Sequence, residues 1–171
     1  MDDHKPMHDH KQTYQKPTEA NSLAPGLVQY LDGSKLSERV GEAIRVTSVD
    51  EDGWPHAALL SVGEILAVDQ KHLNFAVWSQ SATTKNIERT GRVSLSLVHD
   101  GALWEVHLNA KRVAGERAGM KLAFFTAEVK NVRVHRVNYA DVLTSVTYRL
   151  HDTESVVKRW DKQIEELRAC A

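Results

Sequence analysis

The 171 residues, 42% of them apolar and 26% charged, can bury a substantial core, and one folded domain is expected. A formal charge of −1 excludes a partner held mainly by electrostatics, so neither nucleic acid nor an anionic membrane is expected. No apolar run approaches the ~20 residues of a bilayer span, no signal-peptide core opens the chain, and the one cysteine, Cys170, precludes an internal disulfide, which together point to the cytoplasm.

Residues 1–20 are polar, contain Pro6 and Pro17, and show no hydrophobic period, so they read as a mobile tail ahead of a domain spanning 21–171. His4, His8 and His10 lie close together, but nothing rigid would hold them, and no metal site is expected. Leu23 to Leu31 reads as a short helix packed through Leu27, Tyr30 and Leu31 and ended by Asp32-Gly33, with a helical turn over Leu36 to Val40. Ala43 to Val49 and Trp54 to Val62 form a predicted hairpin around Asp50-Glu51-Asp52-Gly53, followed by a connection from Gly63 to Gln70.

The organising stretch runs from His72 to Ala110. Leu73, Phe75 and Val77 share one strand face, Val93, Leu95 and Leu97 a second, and Trp104, Val106 and Leu108 a third. Asp100-Gly101 joins the last two as a hairpin turn, because glycine accepts a positive φ without cost. Between the first two strands, the hydroxyls of Ser79, Ser81, Thr83 and Thr84 meet Lys85 and Asn86 where a helix should begin. Unpaired N–H groups at such a start attract anions, although a Ser or Thr N-cap needs only one of those hydroxyls.

Beyond Val113, Lys121 to Phe125 is either a helical turn or a strand lead-in, Val129 to Val137 a strand, and Val142 to Leu150 a further imperfect strand. A closing helix over Thr153 to Ala169 carries Val157, Trp160, Ile164 and Leu167 at three-four spacing, with Asp152 or Thr153 as N-cap. Six or seven antiparallel strands with few helices predict a mainly β fold, a small barrel closed off by a C-terminal helix. Glu105 and His107 alternate on one face and read as an outward polar surface rather than an acid–base pair. His99 reads as exposed, Trp78 and Trp104 as core-filling, and Lys130, Arg133, His135 and Arg136 as a solvated basic edge. No Ser-His-Asp or Cys-His arrangement is legible.

The ordered set of Thr47 to His56, Leu73-Asn74-Phe75, the Ser/Thr-rich loop, Asn86-Ile87-Glu88-Arg89 and Gly91-Arg92-Val93-Ser94-Leu95 resembles the pyridoxamine 5'-phosphate oxidase-like family of FMN-binding split β-barrels. The resemblance covers roughly Ala43 to Val113 and extends toward the final helix. It implies a homodimer holding FMN at the subunit interface. Ser79, Ser81, Thr83, Thr84 and Lys85, with Asn86, would then stand at the phosphate, and Phe75, Val77 and Trp78 along the isoalloxazine. His56, Ala58 and Leu60 would lie nearby, and Glu105 falls where the oxidase has a glutamine reaching the ring. Ala58 and Gly63 replace an Arg and a Lys of the oxidase, and Ala82-Thr83 replaces its Arg-Lys pair. Losing those cations removes charge-assisted contacts and argues against pyridoxamine phosphate as substrate. The resemblance therefore implies an FMN-dependent oxidoreductase acting on another small molecule. The alternatives are a non-catalytic flavin carrier, sensor or stress-related protein, or the same barrel holding deazaflavin or haem.

Overall fold

A computed structural model describes residues 15–115, 117 and 119–170. Eight strands form one antiparallel sheet: β1 (Thr18–Ala20), β2 (Ala43–Val49), β3 (Pro55–Ser61), β4 (Ile65–Ala67), β5 (His72–Trp78), β6 (Arg92–His99), β7 (Ala102–Arg112) and β8 (Leu122–His135). Among the described residues three α-helices accompany them, α1 (Pro25–Tyr30), α2 (Ala82–Thr90) and α3 (Thr153–Arg168), with short 3-10 turns at Leu36–Arg39 and Val62–Glu64. The strands lie in the order β3-β2-β6-β7-β8-β5-β4, and β1 adds to β8. This is the mainly β split barrel with a C-terminal helix that the sequence led us to expect.

Turn chemistry sets the registers. In the β2–β3 turn, Oδ1 of Asp50 accepts from the N–H groups of Asp52 and Trp54 at 3.0 and 2.8 Å. Between β6 and β7, Asp100 and Gly101 both take positive φ, 49° and 69°, the twist a two-residue hairpin requires. The 14-residue β8 ties the sheet together. One of its edges pairs with β7, interrupted by a bulge at His107/Leu108, while the other pairs first with β5 and then with β1.

Alternation along these strands divides the apolar side chains between two faces. Leu73, Phe75, Val77, Leu95, Val106 and Phe125 point inward and join the barrel core, where the Phe75 and Phe125 rings stack at 5.3 Å. On the outer face of β4, β5 and β8, Leu66, Ala76 and Phe124 receive Trp160, Ile164 and Leu167 of α3. Burial of each of the larger aliphatic and phenyl side chains contributes about 1.5–3 kcal/mol. Gly63 makes the docking possible, since a Cβ there would overlap the Trp160 indole. Nδ2 of Asn74 also donates to the carbonyl of Leu167 at 2.8 Å.

Four expectations need correction. Thr18–Ala20 pairs with Val132–Val134, so the sheet begins inside the expected tail; residues 1–14, with His4, His8 and His10, lie outside the described residues. Within the Gly63 to Gln70 connection, Ile65–Ala67 is a short, wholly buried strand, too brief to show alternation. Lys121 to Val137 is essentially one strand, β8, rather than two pieces. Val142 to Leu150 forms no strand: it contributes only an isolated bridge from Thr147 to Glu42, with the Ala43 N–H donating to the Val146 carbonyl and the Tyr148 N–H to the Gly41 carbonyl.

Candidate functional site

The bend between β5 and α2 is built largely from its own side chains. Ser81 caps α2, its Oγ accepting from the Thr84 N–H at 3.1 Å. Oγ1 of Thr84 donates to the Trp78 carbonyl at 2.7 Å, and the Ser81 N–H reaches the same carbonyl at 3.0 Å. Asn86 is buried and donates to Ser48 Oγ at 3.1 Å, and Thr83 is buried as well. Gly91, at φ 65°, ends the helix. The hydroxyl cluster is therefore mostly an N-cap with local support. Ser79 stays half-buried, Lys85 is exposed, and Ser81 keeps part of its surface.

Immediately beyond Trp78 the character changes. Trp78 is the last residue of β5 and faces outward, with its side chain 53% exposed. It borders a cleft of about 890 Å³ between α3 and the outer face of the sheet, within the range of about 300–1,000 Å³ usual for small-molecule sites. Lys121, Lys158, Arg159 and Lys162 bring cations to its walls, and Glu64, Asp152 and Glu154 bring carboxyls. The Ser79 N–H donates to the Lys121 carbonyl at 3.1 Å, fixing the bend to the cleft wall. Lys158 is engaged by Glu154 at 2.7 Å.

Two groups at the cleft are withdrawn from water, Gln163 almost wholly and Glu64 in part. Gln163 is only 3% exposed, and its Oε1 has no hydrogen-bond partner. Leaving a buried amide oxygen unpaired costs about 1–3 kcal/mol. Glu64 closes the short turn after β3, its Oε2 accepting from the Ser61 N–H at 2.7 Å. Burial pushes the Glu64 carboxyl above its ordinary pKa, against the opposing pull of the Ser61 hydrogen bonds and the Arg159 charge.

The residues expected at the site separate into groups. Trp78 is at the cleft, not in the core, while Trp104 fills the core as expected. Phe75 and Val77 lie in the barrel interior and have essentially no surface to offer a ligand. His56 and Ala58 stand opposite Ser48 and Val46, and Leu60 opposite Ile44, all on the inward face of the β2–β3 hairpin. Glu105 pairs across the sheet with Arg133, whereas Trp78 pairs with Leu122, so within one chain the two lie toward opposite ends of β8. Glu105 and His107 share the outward face, 3.2 Å apart, with Arg133 and His135 within 4 Å of Glu105. The basic edge is thus paired rather than free: Arg136 meets Asp100 at 2.8 Å and Lys130 meets Glu128 at 2.7 Å. His99 is half-buried rather than exposed, its ring 4.6 Å from that of Tyr30, and burial lowers its pKa.

Sequence reasoning missed Glu64, Lys121, Arg159 and Gln163. One signal was available: Gln163 interrupts the apolar stripe of α3 between Trp160 and Ile164, where an amide must find a partner. Among the described residues, no group of three or more His, Cys, Asp or Glu is arranged to hold a metal ion, and no helix is long and apolar enough to cross a membrane.

No family model matches the chain. Over 149 residues it is 35% identical to the uncharacterized protein YclD of Bacillus subtilis (strain 168), covering 86% of this chain and 97% of YclD. Among solved structures, a candidate pyridoxamine 5'-phosphate oxidase from Lactobacillus delbrueckii superimposes with a TM-score of 0.52 at 18% identity, covering 69% of this chain and 98% of that one. An FMN-binding protein from Syntrophomonas wolfei overlaps more loosely, with a TM-score of 0.44 at 12% identity, covering 65% of this chain and 90% of that one.

Proposed function

The chain belongs to the family of Bacillus subtilis YclD and has the split-barrel fold of the pyridoxamine 5'-phosphate oxidase type, and on that premise we propose that it binds FMN beside Trp78 and acts as a flavin-dependent oxidoreductase. The observation that carries this reading is the cleft, where an exposed indole stands among four cationic side chains. A planar aromatic ring with an anionic tail matches that set. Trp78 offers a stacking face, and Lys121, Arg159 and Lys162 offer charge-assisted contacts to a phosphate. The α2 bend supports Trp78 from behind instead of taking the phosphate on its hydroxyls.

Flavin, when bound, supplies hydride and electron exchange, and the protein supplies orientation and shielding. We propose that the protein works as a homodimer, which would allow Glu105 of a second copy to approach the site. Support comes from the apolar side chains that β3 and its neighbourhood expose, Trp54, Leu59 and Val49. We also assign the described residues to one domain, because α3 packs on the strands that enclose the core, and place it in the cytoplasm, in keeping with the unpaired Cys170.

The test is the absorbance spectrum of purified protein reconstituted with FMN, followed by anaerobic addition of NADH or NADPH. Retained flavin absorbance that bleaches with either donor and returns with an acceptor supports the oxidoreductase. Retained flavin that no donor reduces makes the protein a carrier or sensor. A deazaflavin or haem spectrum from the purified protein would replace FMN altogether.

A further inference from the structure

The cations of the cleft come from two separate stretches of chain. Lys158, Arg159 and Lys162 stand on α3, whereas Lys121 closes the connection between β7 and β8, beside Gly119 and Met120. Apolar docking of Trp160, Ile164 and Leu167 fixes α3 to the sheet, and the Ser79 N–H fixes the Lys121 carbonyl at 3.1 Å. The spacing between the two walls needs a further tie, and Arg117 supplies it. Its Nη1 donates to Oε2 of Glu166 at 3.2 Å and its Nη2 to Sγ of Cys170 at 3.3 Å. The guanidinium reaches them across Phe124, 5.7 Å from the centre of that ring. Among the described residues, Arg117 is the only side chain of this connection that hydrogen-bonds to α3 or to the residues just beyond it. With side chains 22% and 35% exposed, the Arg117–Glu166 pair is screened less than a fully open one, and a cation suits the C-terminal end of a helix. The Met120 N–H then donates to the Arg117 carbonyl at 3.0 Å, closing a turn in which Gly119 takes φ 74°. Lys121 follows that turn directly.

Resting on the flavin reading of this cleft, we propose that Arg117 is a positioning residue for the flavin phosphate: by tying the turn that ends at Met120 to the last turn of α3, it holds Lys121 within reach of the same anion as Arg159 and Lys162. Arg117 does not itself line the cleft, so it acts through Lys121 and not by contact with the ligand. A phosphate gripped from both walls gains charge-assisted bonds from each, and the grip weakens when one wall drifts. The stacking face of Trp78 lies outside this device, because β5 holds that residue by its pairing with Leu122.

FMN and riboflavin share the ring and the ribityl chain and differ only in the phosphate, so a residue that positions a phosphate ligand affects one and spares the other. Dissociation constants for both flavins are measured by fluorescence quenching for the wild type, Arg117→Ala, Lys121→Ala, the double variant and Arg117→Lys, with folding checked by circular dichroism. Arg117→Ala should weaken FMN binding about fivefold and leave riboflavin within about twofold. Lys121→Ala, which alone costs about tenfold, should cost no more than about twofold further once Arg117 is gone, because the two residues act as one unit. Arg117→Lys keeps the charge without the planar fork and should recover part of the loss, to within about twofold of the wild type. Unchanged FMN affinity in Arg117→Ala, equal losses for the two flavins, or a full tenfold cost of Lys121→Ala in both backgrounds overturns this assignment and leaves the flavin reading standing. A wild type that binds neither flavin overturns both.

Discussion

Two polar regions meet at Trp78, and they differ in how their hydrogen bonds are spent. In the β5–α2 bend, Ser81, Thr84 and Asn86 all bond within the protein, to a backbone N–H, a carbonyl and a buried hydroxyl. In the cleft under α3, Gln163 keeps an unpaired oxygen, Glu64 is held in a raised-pKa setting, and Lys121 and Lys162 converge on the same volume. A crowd of hydroxyls near a helix start is what an N-cap looks like as well as what a phosphate site looks like. Charge separates the two: Lys121, Arg159 and Lys162 line the cleft beside α3, whereas the bend has Lys85 alone.

The sharpest way to break the comparison is to undock α3. Trp160→Ala should cost about 3–5 kcal/mol, since the indole is fully buried over Gly63 and its Nε1 donates to nothing that would be left orphaned. Urea unfolding reads the loss, and FMN binding should fail with it, while the α2 cap is untouched. A loss below about 1 kcal/mol would mean that α3 is not anchored there.

Charge removal sharpens the contrast next. Arg159→Ala and Lys121→Ala should each weaken FMN binding by about tenfold, whereas Lys85→Ala, on the exposed face of α2, should leave it within about twofold. Isothermal titration of the three variants decides between the regions. If Lys85→Ala is the damaging one, the phosphate belongs at the bend after all.

A smaller effect is expected within the bend itself. Ser81→Ala and Thr84→Val should lower stability by about 1 kcal/mol each through the lost cap and the lost 2.7 Å bond to the Trp78 carbonyl. Neither should change FMN affinity by more than about twofold, because neither hydroxyl is free to meet a ligand. Thermal melts beside fluorescence titrations test both statements on the same samples.

How far the sequence carried this picture follows from which signals were local. β2 and β5 fall on the residues expected, and α3 nearly so, because two-residue and three-four periods are written in adjacent side chains. The Asp100-Gly101 hairpin is likewise local. β4 and β1, three residues each, carry no period and exist only because β5 and β8 offer them an edge. The cleft was the least legible feature, since it joins the turn after β3, the start of β8 and one face of α3 across nearly 100 residues. On α3, Lys158 and Lys162 look like ordinary solvated positions until the fold brings Trp78 and Lys121 opposite them.

The smallest expected effect is on the outward face of β7 and β8, a third polar region that resembles the bend more than the cleft. Glu105 is 30% exposed and has His107, Arg133 and His135 within 4 Å, each about two-fifths exposed. Pairs this open are worth about 0–1 kcal/mol and weaken with salt. Glu105→Gln should therefore change stability by less than about 1 kcal/mol in dilute buffer, and the difference should vanish near 1 M salt. Urea unfolding at the two ionic strengths, run beside sedimentation of both proteins, makes the measurement decisive. A larger loss that survives salt, accompanied by a shift toward monomer, would show that a second copy covers Glu105, and would bring this face to the proposed flavin site at Trp78, from which one chain alone keeps it far.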